Sequence, residues 1–251
     1  MLTDQRKRHI LELLKRDGQV VAKDLSQSLG LSEDTIRRDL RELAASGQLL
    51  RVHGGALPAS PAVADMTGRR LIATDAKAAI GRVAAGLIRP GQVIVLDGGT
   101  TSREVARNLA PDLRATVVTH SPTIAAELEG HAAVDVLLIG GRLFKHSMVT
   151  VGAIAIEAVQ RIRADMFFLG VTGVHASEGL TTGDAEEAAM KRALIARSAE
   201  TMVLASPEKL GAVSPYLVAP IGEISGLITH ADAPDEVVGS FERLGLRVIR
   251  A

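Results

Sequence analysis

An α/β fold with a mainly parallel sheet, preceded by a small winged helical head, is what this sequence predicts. Three observations carry that expectation. Helical periodicity and helix caps fill the first 57 residues and end in a glycine-rich hairpin. From about residue 75, short apolar runs alternate with amphipathic ones, as in a parallel sheet covered by helices on both faces. Between these parts lies LPASPAVADMTGRRLIAT, rich in proline and small residues and without sustained periodicity, which reads as a linker. The expected division is a head over 1–57, a linker over 58–74 and a second domain over 75–251.

In the head, RKRHILELLKRDG (Arg6 to Gly18) is a first amphipathic helix with Ile10, Leu13 and Leu14 turned inward. VVAKDLSQSLGLS (Val20 to Ser32) holds a second, short helix closed by Gly30. Ser32 then caps a third, because its hydroxyl can accept from an orphan backbone N–H. Ile36, Leu40 and Leu43 recur at i, i+4 and i+7 and form a core stripe. Asp34, Arg37, Arg38 and Arg41 fall on or near the opposite side, and Thr35 can reach a phosphate. Gly47 ends this helix, and QLLRVHGGA follows as a short hairpin offering Arg51 and His53. A charged helix face alone is equally well a solvated surface. Helix, short helix, turn, helix and hairpin in sequence make the winged helix-turn-helix layout, which presents the third helix to the major groove of double-stranded DNA.

Composition bounds the remainder. Nearly 200 residues follow the head, enough for one well-buried α/β domain. Aromatics make up only 2% of the chain, so Ala, Val, Leu and Ile must build its core. The absence of cysteine excludes disulfides and thiolate metal sites and agrees with a cytoplasmic setting. No apolar run reaches the ~18 residues of a membrane helix, and no signal-peptide pattern opens the chain. Neither a HExxH motif nor a tight His/Asp/Glu set points to a metal, and no Walker or GxGxxG motif points to a nucleotide, so no cofactor is expected. Net charge is zero, which argues against a nonspecific nucleic-acid binder. Residues 1–58 carry 10 Lys/Arg against 8 Asp/Glu, a net +2. So weak a charge calls for local arginine placement and for two or more heads acting together, hence a homo-oligomer, dimer or tetramer.

In the second domain the unusual residues sit at strand ends, where parallel α/β sheets bind ligands. VIVLDGGTTS puts Asp97, Gly98, Gly99, Thr100 and Thr101 between a strand and a helix. Glycines admit a close ligand, threonine hydroxyls donate, and a helix N-terminus favours an anion such as phosphate. A tight turn with a threonine cap explains the same residues equally well. Thr119-His120-Ser121, Gly140-Gly141-Arg142 and Gly170 to Gly173 close three further apolar strands. GLTTGDAEEAAMK supplies Thr181, Thr182, Asp184, Glu187 and Lys191, and Lys209 follows. The carboxylates suit a helix first turn and the lysines suit a solvated surface, yet a sugar phosphate needs both charge types together.

Two stretches carry a resemblance to a known family. LSEDTIRRDLREL, the following G-x-L-x-R and HGGA resemble the head of the DeoR family of bacterial transcription regulators. Lys77, DGGTT at 97–101, Thr119, IGG at 139–141, RADMFFLG, GLTT and the Glu187…Lys191 helix resemble that family's C-terminal sensor domain. The resemblance implies a fold similar to ribose-5-phosphate isomerase and coenzyme A transferases, and an effector that is a phosphorylated sugar or derivative. Three positions depart from the family pattern and bear on which effector is bound. His120 replaces its usual Asn, Thr172 a frequent Asp, and Ser206-Pro207-Glu208-Lys209 its D-S-S-K.

The functional expectation is a sequence-specific DNA-binding regulator, a repressor of carbohydrate genes, with operator DNA and a phosphorylated sugar as partners and no catalytic residues. The alternative is an isomerase-like enzyme with a DNA-binding head, since Glu187 and Lys191 stand at i, i+4 on one helix. The expected DNA-facing set is Ser32, Asp34, Thr35, Arg37, Arg38, Arg41, Arg51 and His53. The expected effector set is Asp97, Gly98, Gly99, Thr100, Thr101, His120, Gly141, Gly173, Thr181, Thr182, Asp184, Glu187, Lys191 and Lys209.

Overall fold

The head folds around the stripe that the sequence announces. The structure, a computed structural model, describes residues 2–60 and 66–251. Helix α1 (Thr3–Asp17), strand β1 (Val20–Val21), α2 (Ala22–Leu29) and α3 (Glu33–Ala45) lead into a wing of β2 (Leu49–Val52) and β3 (Gly55–Pro58). Ile10, Leu14, Leu25, Ile36, Leu40, Leu43 and Leu49 are all buried together. Complete burial of each such side chain contributes ~1.5–3 kcal/mol. Leu13 is only half-buried. Strand β1 pairs with β3 and widens the wing to three strands. Two valines are too short a run to announce a strand by periodicity, and only the partner defines it.

The connection to the second domain is more ordered than its composition suggests. Strand β3 already occupies the start of the expected linker. Ala59 then bridges in parallel to Val213, and the Ser60 hydroxyl donates to the Thr172 carbonyl. The expected linker residues 61–65 lie outside the described residues. Helix α4 (Met66–Arg69) follows, and α5 (Thr74–Gly86) opens the second domain. The Lys77 ammonium donates to the Arg69 carbonyl at 2.6 Å and the Ile72 carbonyl at 2.5 Å, tying the turn after α4 to α5.

The second domain continues with β4 (Val93–Leu96), α6 (Thr100–Arg107), β5 (Ala115–Thr119), α7 (Pro122–Glu127) and β6 (Val134–Leu138). A hairpin, β7 (Arg142–Phe144) with β8 (Val149–Val151), precedes α8 (Ala153–Gln160) and β9 (Ala164–Gly170). Strands β10 (Gly173–His175) and β11 (Gly179–Thr182) lead to α9 (Ala185–Ile195) and β12 (Ser198–Leu204). The chain ends with β13 (Tyr216–Ala219), β14 (Gly226–Thr229), α10 (Asp235–Glu242) and β15 (Arg247–Arg250).

Seven of these strands form one sheet in the order β15-β14-β12-β9-β4-β5-β6, with every pair parallel. Alternate side chains take opposite faces. Phe167, Leu169 and Val203 pack under α8, α9 and α10, while Phe168, Ile94 and Leu204 pack under α5, α6 and α7. Strands β10, β11 and β13 form a separate antiparallel sheet. That small sheet and the β7–β8 hairpin were not legible in the sequence, because their register comes from distant residues such as Thr181 opposite Leu217.

The strand order reverses between β4 and β9. From β4 the chain runs outward through β5 and β6, then returns to β9 on the other side of β4. A crevice at the carboxyl ends of two such strands is where open parallel sheets bind ligands.

Candidate functional site

Helix α3 presents the expected arginines outward. Ser32 caps it, accepting from the Thr35 N–H at 3.3 Å. Asp34, Arg37, Arg38 and Arg41 are exposed, and Thr35 is half-buried with its hydroxyl 3.0 Å from that of Ser32. Arg37 pairs with Glu33 at 2.7 Å one turn earlier. The exposed Arg51 and His53 of the wing meet Arg37 across a groove of about 280 Å3 floored by Leu40. The helix face and the wing therefore form one basic surface. Asp39 escaped the sequence reading. It lies on the inner side of α3, 1% exposed, and accepts a two-pronged hydrogen bond from Arg6 of α1 at 2.5 and 3.0 Å. This pair ties α1 to α3 on the inner side of the head.

At the switch point of the sheet, the β4–α6 turn opens into a cavity. Gly99 takes φ +117°, a conformation that side chains resist, and so turns the chain into α6. A Cβ on Gly98 would stand 2.2 Å from Val149 Cγ1, so glycine is needed for close packing there. The first turn of α6 then offers the Thr101 and Ser102 hydroxyls, buried and without a hydrogen-bond partner among the described residues, on the cavity wall. Lys209 faces them from the turn after β12. It is 8% exposed and makes no side-chain hydrogen bond or ion pair among the described residues. Burial pushes its ammonium down to about 8, and Lys77, Arg69 and Lys191 nearby push the same way against Glu208. Lys77 is itself lowered, by burial and by Arg69. Cations, unpaired hydroxyls and the positive end of a helix dipole converge here, which is the chemistry of an anion site.

Behind the wall, Asp97 organises the strand ends. It is completely buried. One oxygen accepts from His120 Nε2 at 2.7 Å and Gly98 N–H at 2.8 Å, the other from Lys191 Nζ at 2.5 Å and Gly170 N–H at 2.8 Å. Burial alone would raise its carboxyl, but the Lys191 ammonium and the His120 ring outweigh that and hold it below the usual carboxylate range. Asp97 thus locks β4 to β9 and aims Lys191 across the crevice. Lys191 also donates to the Gly170 carbonyl at 2.9 Å. The acid–base pairing of Lys191 with Glu187, considered for an enzyme, is absent from this geometry: the lysine turns to Asp97.

The expected effector residues divide into two groups. Gly98, Gly99, Thr100, Thr101, Thr182, Glu187, Lys191 and Lys209 line the cavity, and Asp184 lines its extension. Asp97, His120, Gly141, Gly173 and Thr181 stand outside the wall. His120 is fully buried, with Nδ1 2.9 Å from the Thr150 carbonyl. Gly141 packs against Ala155 and Val151, and Gly173 passes so close to Ala212 that a Cβ would meet its carbonyl at 2.3 Å. The Thr181 hydroxyl accepts from the Ser214 N–H at 2.9 Å. Arg69, Lys77, Ser102 and Ser147, outside the expected effector set, also line the cavity, as does Thr172, one of the three departures from the family pattern. Lys77 had a visible signal: a lone lysine on the small, apolar helix AKAAIGRVAAG.

A winged reading helix joined to a parallel-sheet domain with a cationic crevice defines a ligand-sensing DNA-binding protein. The family model for the DeoR-like helix-turn-helix domain matches residues 6–62, and that for the DeoR C-terminal sensor domain matches residues 72–231. An HTH-type transcriptional regulator, GlpR of Haloferax volcanii, is 36% identical over 99% of this chain and 98% of its own. The glycerol-3-phosphate regulon repressor of Escherichia coli K12 is 31% identical over 95% of each chain. A ribose 5-phosphate isomerase A from Methanocaldococcus jannaschii aligns with 54% of each chain at 17% identity and a TM-score of 0.41. This chain belongs to the DeoR family of transcriptional regulators.

Proposed function

We propose that the protein is a cytoplasmic repressor of carbohydrate genes that leaves its operator when a phosphorylated sugar enters the cavity. The observation that carries this reading is the Lys209 ammonium facing the Thr101 and Ser102 hydroxyls, all three without a partner among the described residues. A cation kept from water without an anion is unfavourable, and a phosphate group supplies both the charge and the acceptors that this cluster lacks. The relative named as a glycerol-3-phosphate regulon repressor supports a phosphate ester as effector.

The connection between the domains supports the coupling. Thr172 lines the cavity and its carbonyl accepts from Ser60, while Arg69 and Ile72 line the cavity from the other end of the connection. An effector that engages these residues biases the path from sensor to head. Coupling of this kind is typically ~1–3 kcal/mol, or about 5–150-fold in operator affinity. The head's net +2 supports action as a homo-oligomer on repeated half-sites.

The test is a gel shift of wild type, Thr101→Val and Lys209→Met across a panel of sugar phosphates. The active compound is expected to release wild type, while both variants hold DNA and need about tenfold more compound or higher. Release of all three proteins at one concentration would remove the phosphate from this cavity. Light scattering checks the assembly: a monomer that protects a two-half-site operator contradicts the oligomer.

A further inference from the structure

The seven-stranded sheet ends in two edge strands that are finished differently. On one side β15 exposes Arg247 and Arg250 at its two ends, with Val248 and Ile249 half-buried between them. Arg250 is held there by the Ala231 and Ala233 carbonyls and by Asp235. Charged side chains on an edge discourage another chain from adding to it. On the other side stands β6, whose outer backbone groups face no further strand among the described residues. Its sequence is VDVLL, and Leu137 and Leu138 are each 47% exposed.

The two leucines lie on opposite faces of the sheet. Leu137 sits beside Val118, on the side of α8, α9 and α10. Leu138 follows Val136 and Val117 to the side of α5, α6 and α7. A partner laid on either face would cover one leucine and leave the other in water. A strand added in the plane of the sheet covers both and supplies the missing backbone hydrogen bonds. The charges along this edge run from acidic to basic. Asp135 stands near the start of β6, and Arg142 and Lys145, both exposed, follow its end, Arg142 alongside Glu186. Antiparallel pairing with the same sequence sets the acidic end of one copy against the basic end of the other. Parallel pairing would set like against like.

We propose that two copies of this chain join along β6, antiparallel across a two-fold axis normal to the sheet, so that their seven-stranded sheets become one. A second copy fits this edge because its charge order is complementary to itself, and because the pairing offers two heads to a repeated half-site. Facing residues of an antiparallel pair lie on the same side of the sheet, so the axis must fall between one residue and its own copy. With the axis at Leu137, that leucine meets its copy and Leu138 meets Val136, which gives each an apolar neighbour. An axis at Val136 would put Leu137 against Asp135. The inference rests on the oligomer reading above, and its test keeps the two apart.

The chain has no cysteine, so single cysteines report the pairing directly. Each residue of β6 is replaced by cysteine in turn in the full chain, with Leu217→Cys on β13, 50% exposed, as the control. Residues facing across the axis stand ~4.5–5.5 Å apart at Cα, within disulfide reach, while the next position is already ~8 Å from its copy. Mild oxidation is therefore expected to give a covalent dimer at one β6 position, Leu137, and not at Leu217. Light scattering at micromolar concentration is expected to find wild type associated. Leu137→Lys sets like charges face to face at the axis and is expected to weaken association about tenfold or more. Leu138→Lys secures the result if that variant folds poorly. Crosslinking at another single β6 position supports the same edge with the axis moved. A wild-type monomer overturns the oligomer reading and this one with it. A wild-type oligomer that no β6 cysteine crosslinks, or that both lysine variants leave unchanged, overturns the β6 edge alone.

Discussion

The outer face of the head and the strand-end cavity both gather basic side chains, yet they are built in opposite ways. On the head, Arg37, Arg38 and Arg41 lie within five consecutive positions of one helix and stand in solvent. Their charge costs nothing to keep, and their placement follows from helical periodicity alone. In the cavity, Lys77, Lys191 and Lys209 come from three separate parts of the chain and are all buried. Each needs a compensating arrangement: carbonyls for Lys77, Asp97 for Lys191, and none among the described residues for Lys209. Exposure makes a charged site local and legible. Burial makes it collective, dependent on partners that only the fold brings together.

The largest expected effect tests the buried Arg6–Asp39 pair of the head. Asp39→Ala leaves Arg6 unpaired at the α1–α3 contact, and breaking a buried pair costs ~3 kcal/mol or more. Chemical denaturation should show the head melting first, with operator binding lost alongside. Equal stability of variant and wild type would make the head as charge-tolerant inside as outside.

Next comes the outer face. Arg38→Ala removes one groove contact worth ~1–3 kcal/mol, so operator affinity should fall about tenfold while the melting temperature holds. Fluorescence anisotropy measures it. If neither Arg37→Ala nor Arg38→Ala weakens binding, the reading surface lies elsewhere on the head, with Arg51 and His53 the next to change.

The smallest effect sharpens the contrast by pH. The Lys209 ammonium, lowered to about 8, deprotonates well before an exposed lysine does. Affinity for a phosphate monoester, whose second ionisation is complete by then with a pKa of ~6, should therefore decline as pH rises through about 8. In the ligand-free protein the linkage has the opposite consequence. The unfolded lysine holds its proton to higher pH than the folded one, so this group's contribution favours folding increasingly from about pH 8 towards the ordinary lysine range. Lys209→Met should flatten the decline in phosphate affinity. An unchanged slope in the variant would assign the titration to another group.

The legibility of each part follows from the range of the interactions that build it. Ile36, Leu40 and Leu43 declare the inner face of α3, and so the outer one, because a helix has a fixed local period. The GGTT turn declares a strand-to-helix corner, and the glycines there are required by φ at Gly99 and by Val149 beside Gly98. Periodicity could not say that His120 turns inward to Asp97, that Lys191 joins them, or that Phe144 reaches the pocket while Phe167 and Phe168 fill the core. Neither could composition reveal that proline-rich residues around Ala59 and Ser60 bond to Val213 and Thr172.

The sequence by itself determined a winged head, a parallel sheet behind it, the arginines that face outward and the glycine-rich turn at one strand end. Local periodicity, caps and turn chemistry suffice for these, since each depends on neighbours within a few residues. Tertiary structure alone decided the order of the seven strands, and with it which strand ends share a crevice. It also separated cavity-lining residues from the Asp97–His120 layer behind them, and left Lys209 buried without a partner among the described residues. Those outcomes depend on which distant groups desolvate one another, a property that arises only once the sheet has closed over its helices.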